Sequence, residues 1–190
     1  MDLSIKQKIF PSSDNQELLN YDLEGLWSIS LPTDADLITN IIKGKITNNS
    51  NIFDGTGGLG GNVISFAKSF KSVIACELNS DRFKLLENNL KIFGIQNVTL
   101  YNGNCLDILF NKNYNAYFFD PPWGGPEYKL NDKITIKLGN YDLVEIIKKI
   151  REKNKSPIFM KLPGNYNLEE FSKFNYIIDK IKNYLLLSIF

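Results

Sequence analysis

The feature that most limits what this chain can fold into is a unit read across residues 51–77. A short apolar run closes on Asp54, a glycine-rich turn follows, then an amphipathic stretch and a second apolar run that closes on Glu77. A run too short for a helix, followed by a turn and a helical period, reads as strand–turn–helix; repeated, it demands a parallel sheet with crossover helices. The pattern does repeat. Strands are predicted at 51–54, 72–77, 98–101, 116–119 and 157–162, with helices at 61–69, 81–93 and 141–153 and a short one near 168–174. Phe83, Leu86, Leu90 and Phe93 fall on one face of the second of these helices, which Gly94 closes. The last two strands, within 176–190, are too close in sequence for a crossover and must form an antiparallel hairpin. The expected fold is α/β, a Rossmann-like sheet, mostly parallel with a C-terminal antiparallel hairpin and helices on both faces.

Before residue 51 the signals are weaker. Residues 1–26 are polar with poor periodicity and read as irregular or partly helical. A helix carrying Leu37, Ile38, Ile41 and Ile42 follows, with Thr33 or Asp34 as its N-cap and Gly44 as its stop. The expected organisation is an N-terminal extension, 1–34, and one compact unit, 35–190.

The turn itself reads Asp54-Gly-Thr-Gly-Gly-Leu-Gly-Gly61 and contains Gly-x-Gly-x-x-Gly. That pattern alone is common. Between a strand and a helix, with an acid at the end of the next strand, it becomes a nucleoside-cofactor signal, because bare backbone admits a ligand and Glu77 can accept both hydroxyl hydrogens of a ribose. Asp54 narrows the choice. A carboxylate at the mouth of the turn repels a pyrophosphate but favours the α-ammonium and sulfonium of S-adenosylmethionine. No Gly-Lys-Ser/Thr follows, which excludes a P-loop.

A second motif stands at 116–128, Ala-Tyr-Phe-Phe-Asp-Pro-Pro-Trp-Gly-Gly-Pro-Glu-Tyr. The apolar run is a buried strand, and the prolines cannot continue its ladder. Acceptors at Asp120 and the Pro121 carbonyl, beside the Trp123 face, suit the exocyclic amine of a planar base. Two N–H hydrogens held this way turn the amine lone pair toward a methyl donor, and Asp120 offsets charge as it develops. The chain has no histidine, and its two cysteines, Cys76 and Cys105, sit in apolar surroundings as free thiols, so a zinc site is not expected. A net charge of +1 argues against binding nucleic acid by charge alone. No apolar run approaches the length of a membrane span, and the chain reads as soluble and intracellular.

These motifs resemble those of the trimethylguanosine synthases, the RNA cap guanine-N2 methyltransferases. The likeness rests on Asp120-Pro-Pro-Trp-Gly-Gly-Pro-Glu-Tyr128, on the loop from Asp54 that ends Gly-Gly-Asn62, on Leu23-Glu-Gly-Leu-Trp-Ser-Ile-Ser30, and on Ile9-Phe10 and Leu162-Pro-Gly-Asn165. The resemblance implies methylation of the 2-amino group of a 7-methylguanosine cap, with S-adenosylmethionine as donor, no metal, and capped RNA as partner of a monomer that finds its RNA alone or through a recruiting protein. It implies Asp120, Pro121 and Trp123 as catalytic residues. The cofactor would be held by Ser30, Asp54, Gly55, Thr56, Gly57, Gly60, Asn62, Glu77, Leu78, Asn104, Cys105 and Asp120, and the substrate by Trp123, Tyr128 and Asn165. Where the family carries a phosphate-binding arginine this chain has Gly164, so the expectation is either that Lys6, Lys8, Lys129 or Lys161 takes over or that the phosphate partner is weaker or different. The alternatives are methylation of another exocyclic amine of adenine or guanine, in RNA or DNA, and a cap-binding module without turnover.

Overall fold

The computed structural model describes residues 2–109 and 112–190. Three short helices come first: α1 (Leu3–Ile9), α2 (Leu23–Ser28) and α3 (Pro32–Lys43). The helix α3 starts earlier than its predicted cap. Pro32 occupies the first turn, where a missing N–H costs nothing, and Leu31 is the N-cap without a side-chain bond.

The alternating part then runs β1 (Asn51–Asp54), α4 (Gly61–Ser69), β2 (Ser72–Glu77), α5 (Ser80–Ile92), β3 (Val98–Asn102), α6 (Cys105–Leu109) and β4 (Ala116–Phe119). Asn79 caps α5, its side-chain oxygen accepting the N–H groups of Asp81 and Arg82 at 2.9 and 3.0 Å. A two-residue hairpin, β5 (Lys137–Leu138) and β6 (Tyr141–Asp142), precedes α7 (Leu143–Lys153). The helix expected from 141 starts two residues later because Tyr141 and Asp142 pair with Leu138 and Lys137. The chain finishes with β7 (Ile158–Pro163), β8 (Tyr176–Ile181) and β9 (Tyr184–Ile189). The short helix expected near 168–174 is a 3-10 turn, Leu168–Phe171.

Among the described residues, seven strands form one sheet in the order β3-β2-β1-β4-β7-β9-β8, parallel except where β9 pairs with β7 and β8. Every residue of β1, β4, β7 and β9 except Asn51 is buried, as a sheet covered on both faces requires. Side chains alternate between two apolar clusters. Ile52, Ala116, Phe118, Phe159 and Leu186 pack on one side with Phe66 of α4, and Phe53, Tyr117, Phe119, Met160 and Leu187 pack on the other with Ile146 and Ile150 of α7.

The N-terminal residues are built into the first cluster through Ile9, Phe10 and Leu19. Polar ties fix their register. Asn89 of α5, fully buried, accepts from the Asn20 N–H at 2.9 Å and donates to the Asn20 and Leu59 carbonyls at 2.9 and 3.1 Å. Arg82 of the same helix grips Asp22 with contacts of 3.2 and 2.7 Å. Among the described residues no helix is long and apolar enough to cross a membrane.

Candidate active site at the strand tips

After β1 the chain works outward through β2 and β3, then returns to place β4 on the other side of β1. A crevice opens at such a reversal, outside the carboxyl ends of the strands. The two acids of the motifs mark it, since Asp54 ends β1 and Asp120 follows β4 directly.

Asp54 has no exposed surface. One carboxylate oxygen accepts the Thr56 N–H at 2.9 Å, while the other, Oδ2, is buried without a partner among the described residues. Burial pushes its carboxyl up to about 7, with the nearby Asp120 adding to the effect. An unsatisfied acceptor in this position fits a cationic donor, and the residues therefore fit the ammonium-bearing cofactor expected from sequence.

The glycine turn is locked to its neighbours by backbone bonds. Gly55 N–H donates to the Phe118 carbonyl at 3.0 Å and Gly57 N–H to that of Cys76. Gly61 is required by close approach, because a Cβ there would lie 2.5 Å from the Ser30 carbonyl oxygen. Gly60 carries the α4 N-cap. Glu77 accepts the Gly58 N–H at 2.9 Å and the Asn79 N–H at 2.8 Å, one at each oxygen, so it shapes the turn and still has lone pairs for a diol. Leu78, beside it, is 71% exposed, an apolar surface at the rim.

Asp120 is more engaged than an isolated acceptor. Its Oδ2 takes a 2.8 Å hydrogen bond from the Lys161 ammonium and a long one, 3.5 Å, from the Ser30 hydroxyl. Ser30 Oγ in turn accepts from Lys161 at 2.9 Å and from the Asn62 amide at 3.0 Å. Burial holds the Asp120 carboxyl above the usual carboxylate range, and Lys161 pulls the other way. Oδ1 and the carbonyls of Asp120 and Pro121 receive no hydrogen bond among the described residues.

Trp123 is half-buried and meets Tyr128 edge to face, ring centroids 5.3 Å apart at 86°. Its indole N–H is buried without a partner among the described residues. Gly124 and Gly125, at φ of 89° and 75°, turn the chain back so that Tyr128 can reach it. Asn165 is a staple in this arrangement: its amide donates to the carbonyls of Tyr128 and Asn131, both at 2.8 Å. Asn104 is exposed, and its side-chain oxygen accepts the Leu106 N–H at 3.1 Å at the start of α6. Cys105 is buried under the glycine turn, where burial pushes its thiol up to about 12 and leaves it a packing group.

Two of the four lysines expected to meet a phosphate are otherwise committed. Lys6 is buried and donates to the Glu17 carbonyl, and Lys161 is the partner of Asp120. Lys129 remains at the rim, exposed, with its ammonium 5.8 Å from the Tyr128 ring. Lys161 stands out in the sequence as the lone charge within the apolar run 158–163, but its partner is set only by the fold.

The family model for RNA cap guanine-N2 methyltransferases matches residues 49–186. Among curated relatives, an uncharacterized protein of Acanthamoeba polyphaga mimivirus is 34% identical over 96% of this chain and 80% of its own length. The trimethylguanosine synthases of Schizosaccharomyces pombe and Saccharomyces cerevisiae are 32% and 25% identical over 70% and 88% of this chain. The matches span only 59% and 55% of those two proteins. In fold the chain is similar to the Geobacter metallireducens precorrin-6y C5,15-methyltransferase, with a TM-score of 0.62 at 16% identity over 93% of this chain and 95% of that one. It is likewise similar to a T. thermophilus 16S rRNA N2 methyltransferase solved with AdoMet and guanosine, with a TM-score of 0.64 at 12% identity over 90% of this chain and 43% of that one. The family match takes in the glycine turn, Glu77, the Asp120–Trp123 motif and most of the sheet, and the chain is a member of the RNA cap guanine-N2 methyltransferase family.

Proposed function

We propose that this methyltransferase uses S-adenosylmethionine to methylate the exocyclic 2-amino group of a 7-methylguanosine RNA cap. The observation that carries the reading is the pairing, across the β1–β4 crevice, of one unsatisfied acid, Asp54, with a rigid acceptor edge formed by Asp120 Oδ1 and the Pro121 carbonyl. When bound, the donor supplies an activated methyl group and a thioether leaving group. The protein's share is alignment, worth about 7–11 kcal/mol at best.

In this reading Asp54 receives the α-ammonium, Glu77 the ribose hydroxyls, and the backbone of Gly55, Gly57 and Gly60 the body of the cofactor. Thr56, Asn62 and Ser30 brace that wall; Leu78, Asn104 and Cys105 border the adenine. Asp120 and Pro121 each accept one N–H of the amine. Trp123 stacks on the methylated base, whose positive charge is drawn to the indole face by about 0.5–2 kcal/mol. Tyr128, held by Asn165, and Lys129 face the phosphates. Residues 1–34 complete the pocket through Ser30, and the 35–190 unit carries the rest.

The test is methyl transfer from labelled donor to 7-methylguanosine and unmethylated guanosine caps, with adenine- and guanine-containing RNA and DNA as controls. Incorporation at the 2-amino group of the methylated cap is the expected result. Labelling of internal adenine or guanine alone would replace this reading with that of a different amine methyltransferase, and cap binding without labelling would make the chain a binding module.

A further inference from the structure

Lys161 is the only charged residue in β7, whose other members are Ile158, Phe159, Met160, Leu162 and Pro163. It projects with Phe159 toward the face that also carries Ser30 and Tyr184, and it is 7% exposed. A lysine there forgoes the core packing that an apolar side chain would make, and it is tolerated only if its ammonium is paired. The pairing is dense. The ammonium donates to Asp120 Oδ2 and Ser30 Oγ and lies 5.3 Å from the ring centroids of both Trp123 and Tyr184.

We propose that Lys161 is a positioning residue for methyl transfer: by occupying Oδ2 it dedicates Oδ1 of Asp120 to the substrate amine and sets a cation against that buried carboxyl. The inference rests on the methyltransferase reading above and says how its acceptor acid is set.

The surroundings of Asp120 leave this task to Lys161. Thr56, from the glycine turn, accepts the Asp120 backbone N–H, and Ser30 offers only a long hydroxyl bond. Asp54 from β1 and Tyr184 from β9 are the other titratable groups that sense it, and neither is a cation. Burial by itself favours the neutral acid, and Lys161 opposes it through charge and hydrogen bond together. A neutral Asp120 would carry a proton on one oxygen, and a carboxyl free of Lys161 could rotate, so either loss blurs the single acceptor that an amine needs.

The test follows Asp120 directly. The side-chain carboxyl is observed by carbon NMR in aspartate-labelled protein, assigned with Asp120→Asn, and titrated in wild type, Lys161→Met, Lys161→Gln and Lys161→Arg. We expect the Asp120 midpoint to move to higher pH in the Met and Gln variants and to stay near the wild-type position in Arg. In the active enzyme kcat at pH 7 should fall at least about tenfold in Met and Gln and recover as pH rises, while the cofactor Kd changes less than about twofold. An Asp120 midpoint unmoved by Lys161→Gln overturns the proposal, as does a kcat loss that does not depend on pH. If Lys161→Met fails to fold, the Gln variant carries the titration, and the double variant Asp120→Asn/Lys161→Met should fold again because neither charge is left alone. The titration needs no substrate, so a wrong assignment of the methylated amine would show in the wild-type assay and leave this result standing on its own.

Discussion

The backbone N–H of Asp120 donates to the hydroxyl of Thr56 at 2.7 Å, and that hydroxyl lies 3.4 Å from Asp54 Oδ1. One small side chain thus ties the tip of β4 to the tip of β1. Replacing it with valine keeps the shape and leaves the Asp120 N–H without its acceptor, at a cost of about 1–3 kcal/mol. Thr56→Val should lower unfolding free energy by that amount in urea, and Thr56→Ser should recover most of it.

The pH response of cofactor binding should report Asp54. Its carboxyl is pushed from 3.8 up to about 7 in the folded protein, so the native state holds more protons than the unfolded chain between roughly pH 4 and 7. Stability from this group therefore falls as pH rises through that window. A cationic ligand needs the ionised form, so affinity for S-adenosylmethionine should climb by up to about tenfold per pH unit below 7 and level off above it. Calorimetric titration across pH 5–8 checks this, and Asp54→Asn should bind weakly with a flat profile.

Substitution of Trp123 tests whether base recognition is separable from cofactor recognition. Trp123→Ala should weaken binding of 7-methylguanosine caps by about 1–3 kcal/mol, as loss of a stacking face does, and leave the cofactor Kd within about twofold. The same variant should lose its preference for the methylated base over guanosine. Equal loss of cap and cofactor binding would mark the indole as a structural support.

Gly61 carries a steric prediction. A Cβ at that position would meet backbone atoms of Ser30 at 2.5 and 3.2 Å, and backbone cannot turn aside as a side chain can. Gly61→Ala should cost about 1–3 kcal/mol and loosen the Ser30 contact with Asn62 and Lys161, seen as a weaker cofactor Kd along with a lower Tm.

The strands at 51–54, 72–77 and 116–119 were legible to the residue because each is an apolar run bounded by a turn signal. The closing hairpin was legible from spacing alone. Less visible was α6, five residues beginning at Cys105, too short to show a period. The small hairpin ahead of α7 was hidden because Tyr141 and Asp142 fit equally well at the start of that helix. At the site, the placement of Asp54 and Asp120 on adjacent strand tips agrees with the motif reading, since motif position and strand order decide it. The pairing of Asp120 with Lys161 was not readable, because 41 residues separate them and only the β4–β7 register brings them together. The ties made by Asn89 and Arg82 are hidden in the sequence for the same reason; their partners Asn20 and Asp22 lie in a segment with no period of its own.

The position of β9 sets an order of events during synthesis. This strand is made after β8 yet lies between β8 and β7, and it brings Tyr184 to Lys161. On the ribosome, the glycine turn, Glu77 and Asp120 are exposed to the cell well before residues 184–189 emerge. The face of Lys161 that meets Tyr184 therefore stays open until β9 slides between β8 and β7, whereas its pairing with Asp120 needs only β4 and β7.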